Sequence, residues 1–182
     1  MADGLEGERI RLVPLSRERH FENCLRWVND LDVTEWLLIS DEPTSHEAES
    51  EWFDRMLASD GRDIIFGVEL LDGTHIGQSA LHQVSKQNRT AQCGTLLDKA
   101  FWGKGFGTEA SLLRARYAFD VLDLRMLISG YLEGNARTPR MLAKQGFEIT
   151  GRIPQELWKR GAYRDHVLAV LTAEKFRELH GG

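Results

Sequence analysis

The chain has 182 residues, 42% hydrophobic and 9% aromatic, the make-up of one globular domain with a sizeable core and no linker dividing it. A formal net charge of -5 argues against a nucleic-acid groove and suits a cationic acceptor. The two cysteines, Cys24 and Cys93, lie far apart in no metal-like spacing, the opening MADGLEGERIRL has no apolar signal region, and no run nears the ~20 apolar residues of a membrane span; a cytoplasmic protein with no membrane, nucleic-acid or metal partner, monomeric or homodimeric, is expected.

In chain order, Arg9 to Leu15 alternates Ile10 and Leu12 with polar neighbours and reads as a strand. Ser16 caps a helix expected from about Arg17 to Asn29, and Thr44 or Ser45 a second from about His46 to Ala58, with Trp52, Phe53, Met56 and Leu57 on its apolar side. DIIFGVELLDGTHIGQSALHQV is a hairpin turning at Asp72-Gly73, and Thr90 to Asp98 continues it as a third meander strand. After a glycine-rich loop, Ala110, Leu113 and Tyr117 mark a helix running to about Val121. RMLISGYL is a strand, and a helix opens on Asn135 and closes on Gly146, with Pro139 near its first turn. FEITGRIPQELWK and AYRDHVLAVL are two further strands. The order β-α-α-β-β-β-α-β-α-β-β describes a single α+β domain over residues 1–182 with a mixed sheet of about seven strands, an antiparallel meander followed by C-terminal strands.

The loop is FWGKGFGTEA, with Gly103, Gly105 and Gly107 leading into a helix N-terminus. Glycines concentrated there fit a backbone whose bare N–H groups face an anion. Gly105, Gly107 and Ala110 also satisfy G-x-G-x-x-A, but a dinucleotide site expects a buried parallel strand running straight into the glycines, and here Asp98, Lys99, Phe101 and Trp102 intervene after a meander. No G-K-[ST] closes the run, so a triphosphate loop does not fit.

WGKGFGTEA after a third meander strand resembles the pyrophosphate loop of the GNAT superfamily of acyl-CoA N-acyltransferases, motif [QR]-x-x-G-x-[GA]. Trp102 stands where that family usually has Gln or Arg, a substitution common in its RimJ/RimL-like branch, the ribosomal-protein N-terminal acetyltransferases. LRWVND, YAFDVLDLRML and NARTPRMLAKQGFEITG agree in order and spacing, so the resemblance spans almost the whole chain. It implies helices on both faces of the sheet, acetyl-CoA as cosubstrate and a primary-amine acceptor. Residues Trp102 to Thr108 would hold the pyrophosphate, the backbone amides around Gly103 to Thr108 wrapping it, with Lys104 and the Thr108 hydroxyl adding a charge and a hydrogen bond and Phe106 and Gly107 inside the loop. Backbone donors at Leu96 or Leu97 on a splayed strand would polarise the thioester. The tyrosine that most members use to protonate the thiolate falls on Leu142, and the branch offers the Thr138 hydroxyl instead, with Asn135 holding the cofactor or a water.

The same resemblance places an acidic residue near Glu69, the best candidate base; Gln92 stands where relatives often carry Glu, and His82 and His166 are reserves. An α-amine of pKa near 8 costs about 1 kcal/mol to free at neutral pH and a lysine-like amine near 10.4 roughly 4 to 5 kcal/mol, so an N-terminal acceptor can manage with a water chain. The acceptor pocket is expected between the early helices and the last hairpin, from Trp27, Asn29, Asp30 and Trp36 and from Trp158, Tyr163 and Arg164. Asp30 would anchor an ammonium. A CoA-binding module without chemistry, and a dinucleotide-dependent oxidoreductase, stay open as alternatives.

Overall fold

A computed structural model describes residues 5–39 and 41–181. The first four residues, where the expected absence of a signal region begins, lie outside the described residues. The strands β1 (Ile10–Pro14), β2 (Ile64–Leu70), β3 (His75–Ser85), β4 (Thr90–Leu97), β5 (Met126–Leu132), β6 (Glu148–Lys159) and β7 (Ala162–Thr172) form one mixed sheet in the order β1-β2-β3-β4-β5-β7-β6. All neighbours are antiparallel except β4 and β5. The Asp72-Gly73 turn closes β2 onto β3 with Gly73 at φ +91°, a left-handed conformation that glycine adopts without steric cost.

Helices cover both faces. On one, α1 (Arg17–Val28) and α3 (His46–Leu57) pack Phe21, Cys24, Trp27 and Phe53 on Ile65 and Ala80. On the other, α4 (Phe106–Arg116), its continuation as one π turn to Val121, and α6 (Ala173–His180) bury Leu113, Phe119 and Phe176. Alternation explains the division: Ile65 faces one layer and Phe66 the other. Between α1 and α3 the chain adds a single turn, α2 (Leu31–Thr34). Neither α2 nor α6 is expected from the sequence, although Thr172 accepts from the Lys175 N–H as an N-cap and Phe176 fills the core. The helix α5 (Arg137–Gln145) starts two residues later than its capping Asn135, and ends at Gly146 as expected.

One feature of the sheet creates the site. The parallel pairing of β4 with β5 covers only Thr90↔Met126, Ala91↔Leu127 and Gln92↔Ile128, while the strands run on to Leu97 and Leu132. Beyond Gln92 the two strands part. Among the described residues no helix is long and apolar enough to cross a membrane.

Candidate active site

The parting strands open into a cleft of about 450 Å³. Its walls are the end of β4 (Thr95, Leu96, Leu97), the glycine loop (Trp102, Gly103, Gly105, Gly107, Thr108), the start of α5 with Asn135 before it (Asn135, Arg137, Thr138, Arg140, Met141, Lys144), and Val33, Trp36 and Leu37 around the end of α2. Behind β4, the buried Arg114 guanidinium donates to the Gly94 carbonyl at 2.6 Å, Thr95 Oγ1 at 2.7 Å and Ser79 Oγ at 3.0 Å. It thereby fixes the strand where it leaves β5.

Gly103 and Gly105 have φ of +74° and +88°, which side-chain-bearing residues rarely adopt. Gly105 is the N-cap of α4 and supplies no capping side chain, so the first-turn N–H groups are free and carry the positive end of the helix dipole. Gly107 lies within the helix; a Cβ there would stand 3.5 Å from Leu97 and from Met141, inside the cleft. The loop is held from outside by Arg9: its Nη1 donates to the Lys104 carbonyl at 2.9 Å, its Nε to Glu109 at 3.0 Å, and its guanidinium lies over the Phe106 ring at 4.8 Å. Those interactions join residues 95 to 100 positions apart, and no sequence motif announces them.

At the opposite wall, Asn135 Oδ1 accepts from the backbone N–H groups of Arg137 and Thr138, and its Nδ2 donates to Thr138 Oγ1 at 2.9 Å. One Thr138 lone pair is thus occupied while its O–H stays available to the cleft. Trp102 donates from Nε1 to the Leu97 carbonyl at 2.9 Å, and the Arg137 guanidinium stacks on its ring at 4.2 Å, joining the loop to α5. Leu142 packs in the core with Tyr131 and Phe147. The cleft-lining side chains Arg137, Arg140, Met141 and Lys144 escape sequence reasoning; their one signal is their place on the helix that carries Thr138.

Several expected site residues are placed elsewhere. Glu69 is buried, its Oε1 bound by Arg19 at 2.9 Å and His20 at 3.1 Å and its Oε2 by Arg11 at 3.0 Å. Burial alone would raise its pKa, but the His20 hydrogen bond and the two arginines outweigh it and hold the carboxyl below the usual range. A carboxylate so occupied, outside the cleft lining, is a poor general base. Lys104 turns back onto the Ala100 carbonyl at 2.9 Å and Phe106 packs on Phe101, so neither side chain lines the cleft. Trp27 is core, its Nε1 donating to Asp98 at 2.8 Å. Asn29 bridges the end of α1 to Thr44. Asp30 caps α2 and pairs with Lys99 at 2.9 Å, which lowers its pKa and leaves it no free charge for an ammonium. Tyr163 and Trp158 meet edge to face, exposed on the β6–β7 hairpin. Gln92 bonds Gln83 and His82 pairs with Asp63, both outside the cleft lining. His166 Nδ1 pairs with Glu156 at 2.7 Å.

Trp36 lines the cleft, while Arg164 lies outside its lining but close to it, since a Cβ on Gly134, the neighbour of Asn135, would meet Arg164 Nη1 at 3.2 Å and the Trp36 ring at 3.8 Å. Leu96, Leu97, Trp102, Gly103, Gly105, Gly107, Thr108, Asn135 and Thr138 all lie in one wall or another of the cleft. The cleft thus brings together the uncapped first turn of α4, the unpaired end of β4 and the Thr138 hydroxyl on the opposite wall.

Comparison with known proteins gives the same class. Residues 9–148 match the model of the acetyltransferase (GNAT) domain, and the chain belongs to that family. It is 30% identical over 173 residues, 92% of each chain, to YdaF of Bacillus subtilis (strain 168), provisionally named a ribosomal N-acetyltransferase. It is 27% identical over 177 residues to the spermidine N(1)-acetyltransferase of Escherichia coli (strain K12), covering 94% of this chain and 90% of that one. The crystal structure of spermidine N-acetyltransferase from Vibrio cholerae in complex with CoA and spermine shares the fold, with a TM-score of 0.86 at 19% identity over 92% of this chain and 97% of that chain. The protein is therefore an acetyl-CoA-dependent N-acetyltransferase.

Proposed function

We propose that this enzyme moves the acetyl group directly from acetyl-CoA to a primary amine, with the N-terminus of a protein or peptide favoured over a polyamine, an amino sugar or an antibiotic, as in the RimJ/RimL-like branch. The observation that carries the reading is the lack of a carboxylate or histidine among the described residues that line the cleft. An acceptor must then arrive largely able to lose its own proton. An α-amine does so at a cost of about 1 kcal/mol at neutral pH, several kcal/mol less than a lysine-like amine. The 30% identity to YdaF supports the branch; the likeness to spermidine acetyltransferases supports the small-amine alternative.

In this reading the amides after Gly105 seat the pyrophosphate and the end of β4 presents its backbone donors to the thioester oxygen. The amine nitrogen bonds to the carbonyl carbon, the carbon–sulfur bond breaks, and the proton lost by nitrogen passes through water to the sulfur. Thr138 keeps its own proton and donates a hydrogen bond to the departing thiolate. Asn135 orients that hydroxyl. Leu142 leaves no phenol for the task. A thiol-release screen with acetyl-CoA against peptides of different N-terminal residues, spermidine, amino sugars and aminoglycosides tests the proposal. Turnover is expected with peptide N-termini; efficient turnover of spermidine or aminoglycosides with none on any peptide would contradict it.

A further inference from the structure

Arg164 has a charge that the protein itself leaves unanswered. Along β7, Val167, Ala169 and Leu171 point into the core on the α4 side, so Arg164, His166 and Leu168 share the opposite face by strand alternation. There Arg164 Nη1 and the Trp36 ring both stand near the position a Cβ would take on Gly134, at 3.2 Å and 3.8 Å, one residue before Asn135, and Trp36 and Asn135 both line the cleft. Arg164 is only partly exposed, and among the described residues its side chain makes no hydrogen bond or ion pair.

Five acids of the flanking segments are occupied. Asp30 is held by Lys99, Asp41 by Lys159, Glu133 and Asp165 by Arg152, and Glu156 by His166. Glu35, the residue before Trp36, is the acid of that segment without a partner. A planar guanidinium without a counter-ion at the border of a binding cleft selects a carboxylate, which it can hold through two parallel hydrogen bonds. It repels a second ammonium.

We propose that Arg164 recognises a carboxylate carried by the acceptor itself, so that the substrate is a primary amine with an anionic group close to it. This rests on the reading of the cleft as an amine-acetylating site. Two sources share that chemistry: a peptide N-terminus followed by an acidic residue, and a free amino acid. A simple polycation offers nothing to Arg164.

The test compares two peptides that differ only at the second residue, Ser-Asp and Ser-Asn, together with free serine, free aspartate and spermidine, in thiol-release kinetics with acetyl-CoA. The wild type is expected to prefer the Asp peptide by tenfold or more in kcat/KM, mostly through KM, and added salt should erode the preference. Arg164→Gln should bring the ratio towards one, and Arg164→Lys should keep part of it. Turnover of the free amino acids above both peptides, lost in the same variants, would identify the small-molecule source. Equal kcat/KM for the two peptides, a preference that survives Arg164→Gln, or spermidine as the one acceptor would overturn the assignment while leaving an acetyltransferase. Failure to acetylate any amine would overturn the proposed function as well.

Discussion

Thr138 keeps its hydroxyl proton for the cleft because Asn135 already occupies one of its lone pairs. Replacing it with valine preserves shape and removes the donor. Thr138→Val should lower kcat by about a hundredfold or more, as expected when one preorganised donor to a developing charge is lost, while acetyl-CoA affinity changes little. Thr138→Ser should recover most of the rate. Equal losses in kcat and in affinity, tracking a lower Tm, would mark the threonine as structural. Glu69 calls for the reverse outcome. Its carboxylate neutralises two arginines and accepts from a buried histidine, so Glu69→Gln should destabilise the fold by about 3 to 5 kcal/mol in denaturant titration. Turnover per folded molecule and the pH-rate profile should stay as in the wild type; a flattened basic limb would restore Glu69 as a base. The sequence shows why the two residues differ in legibility. Thr138 is set by a local spacing from Asn135, whereas the partners of Glu69 come from β1 and α1, some fifty residues away.

At the scale of elements, α1 is locked to the β2–β3 hairpin by two histidines in ring contact whose proton positions follow from their partners. The Ser16 N–H donates to His20 Nδ1, so His20 Nε2 carries the proton given to Glu69. The Gly77 carbonyl accepts from His75 Nε2, and the rings of His20 and His75 lie 4.3 Å apart. Gly67 makes room for His20, since a Cβ there would come within 2.5 Å of the ring. Burial lowers the pKa of His20, against the pull of Glu69, and burial with the neighbouring His20 takes His75 down to about 4. Both groups are thus neutral when folded and protonate more easily when unfolded, so the unfolded chain binds the extra protons. Stability should be complete above about pH 6.5 and decline as pH falls towards 4, by about 3 kcal/mol for His75 alone, with Glu69 adding to the loss below its ordinary value of 4.5. Glu49, raised by burial, opposes this over its own range. Denaturant midpoints measured from pH 4 to 8 check the sign; a midpoint that rises on acidification would contradict it.

The same scale shows what the pattern of residues could reveal. Periodicity and turn residues mark the seven strands and four of the helices because each carries its own signal, such as Asp72-Gly73 or the Gly146 C-cap. The short α2 turn has no such period, and α6 is fixed by packing Phe176 against Phe119. The partners of the early acceptor candidates were out of reach for a related reason. Trp27, Asn29 and Asp30 are bonded to Asp98, Thr44 and Lys99, joining α1 and α2 to neighbouring segments that the sequence does not announce.

Across the whole molecule, the glycine loop, the splayed strands and the start of α5 converge on one cleft. The glycine loop was legible as one contiguous motif, whereas Trp36 and Arg164, both read from the sequence as acceptor candidates, are brought together with Gly134 only by the tertiary fold. The most direct measurement pairs calorimetric titration of acetyl-CoA with thiol release for the wild type and for Gly105→Val, whose β-branched side chain meets a φ of +88° at the N-cap of α4. Wild-type protein should bind acetyl-CoA and release one thiol for each amine acetylated, whereas Gly105→Val should stay folded by circular dichroism and lose both. Undiminished acetyl-CoA affinity in the folded variant would contradict the placement of the cosubstrate in this cleft.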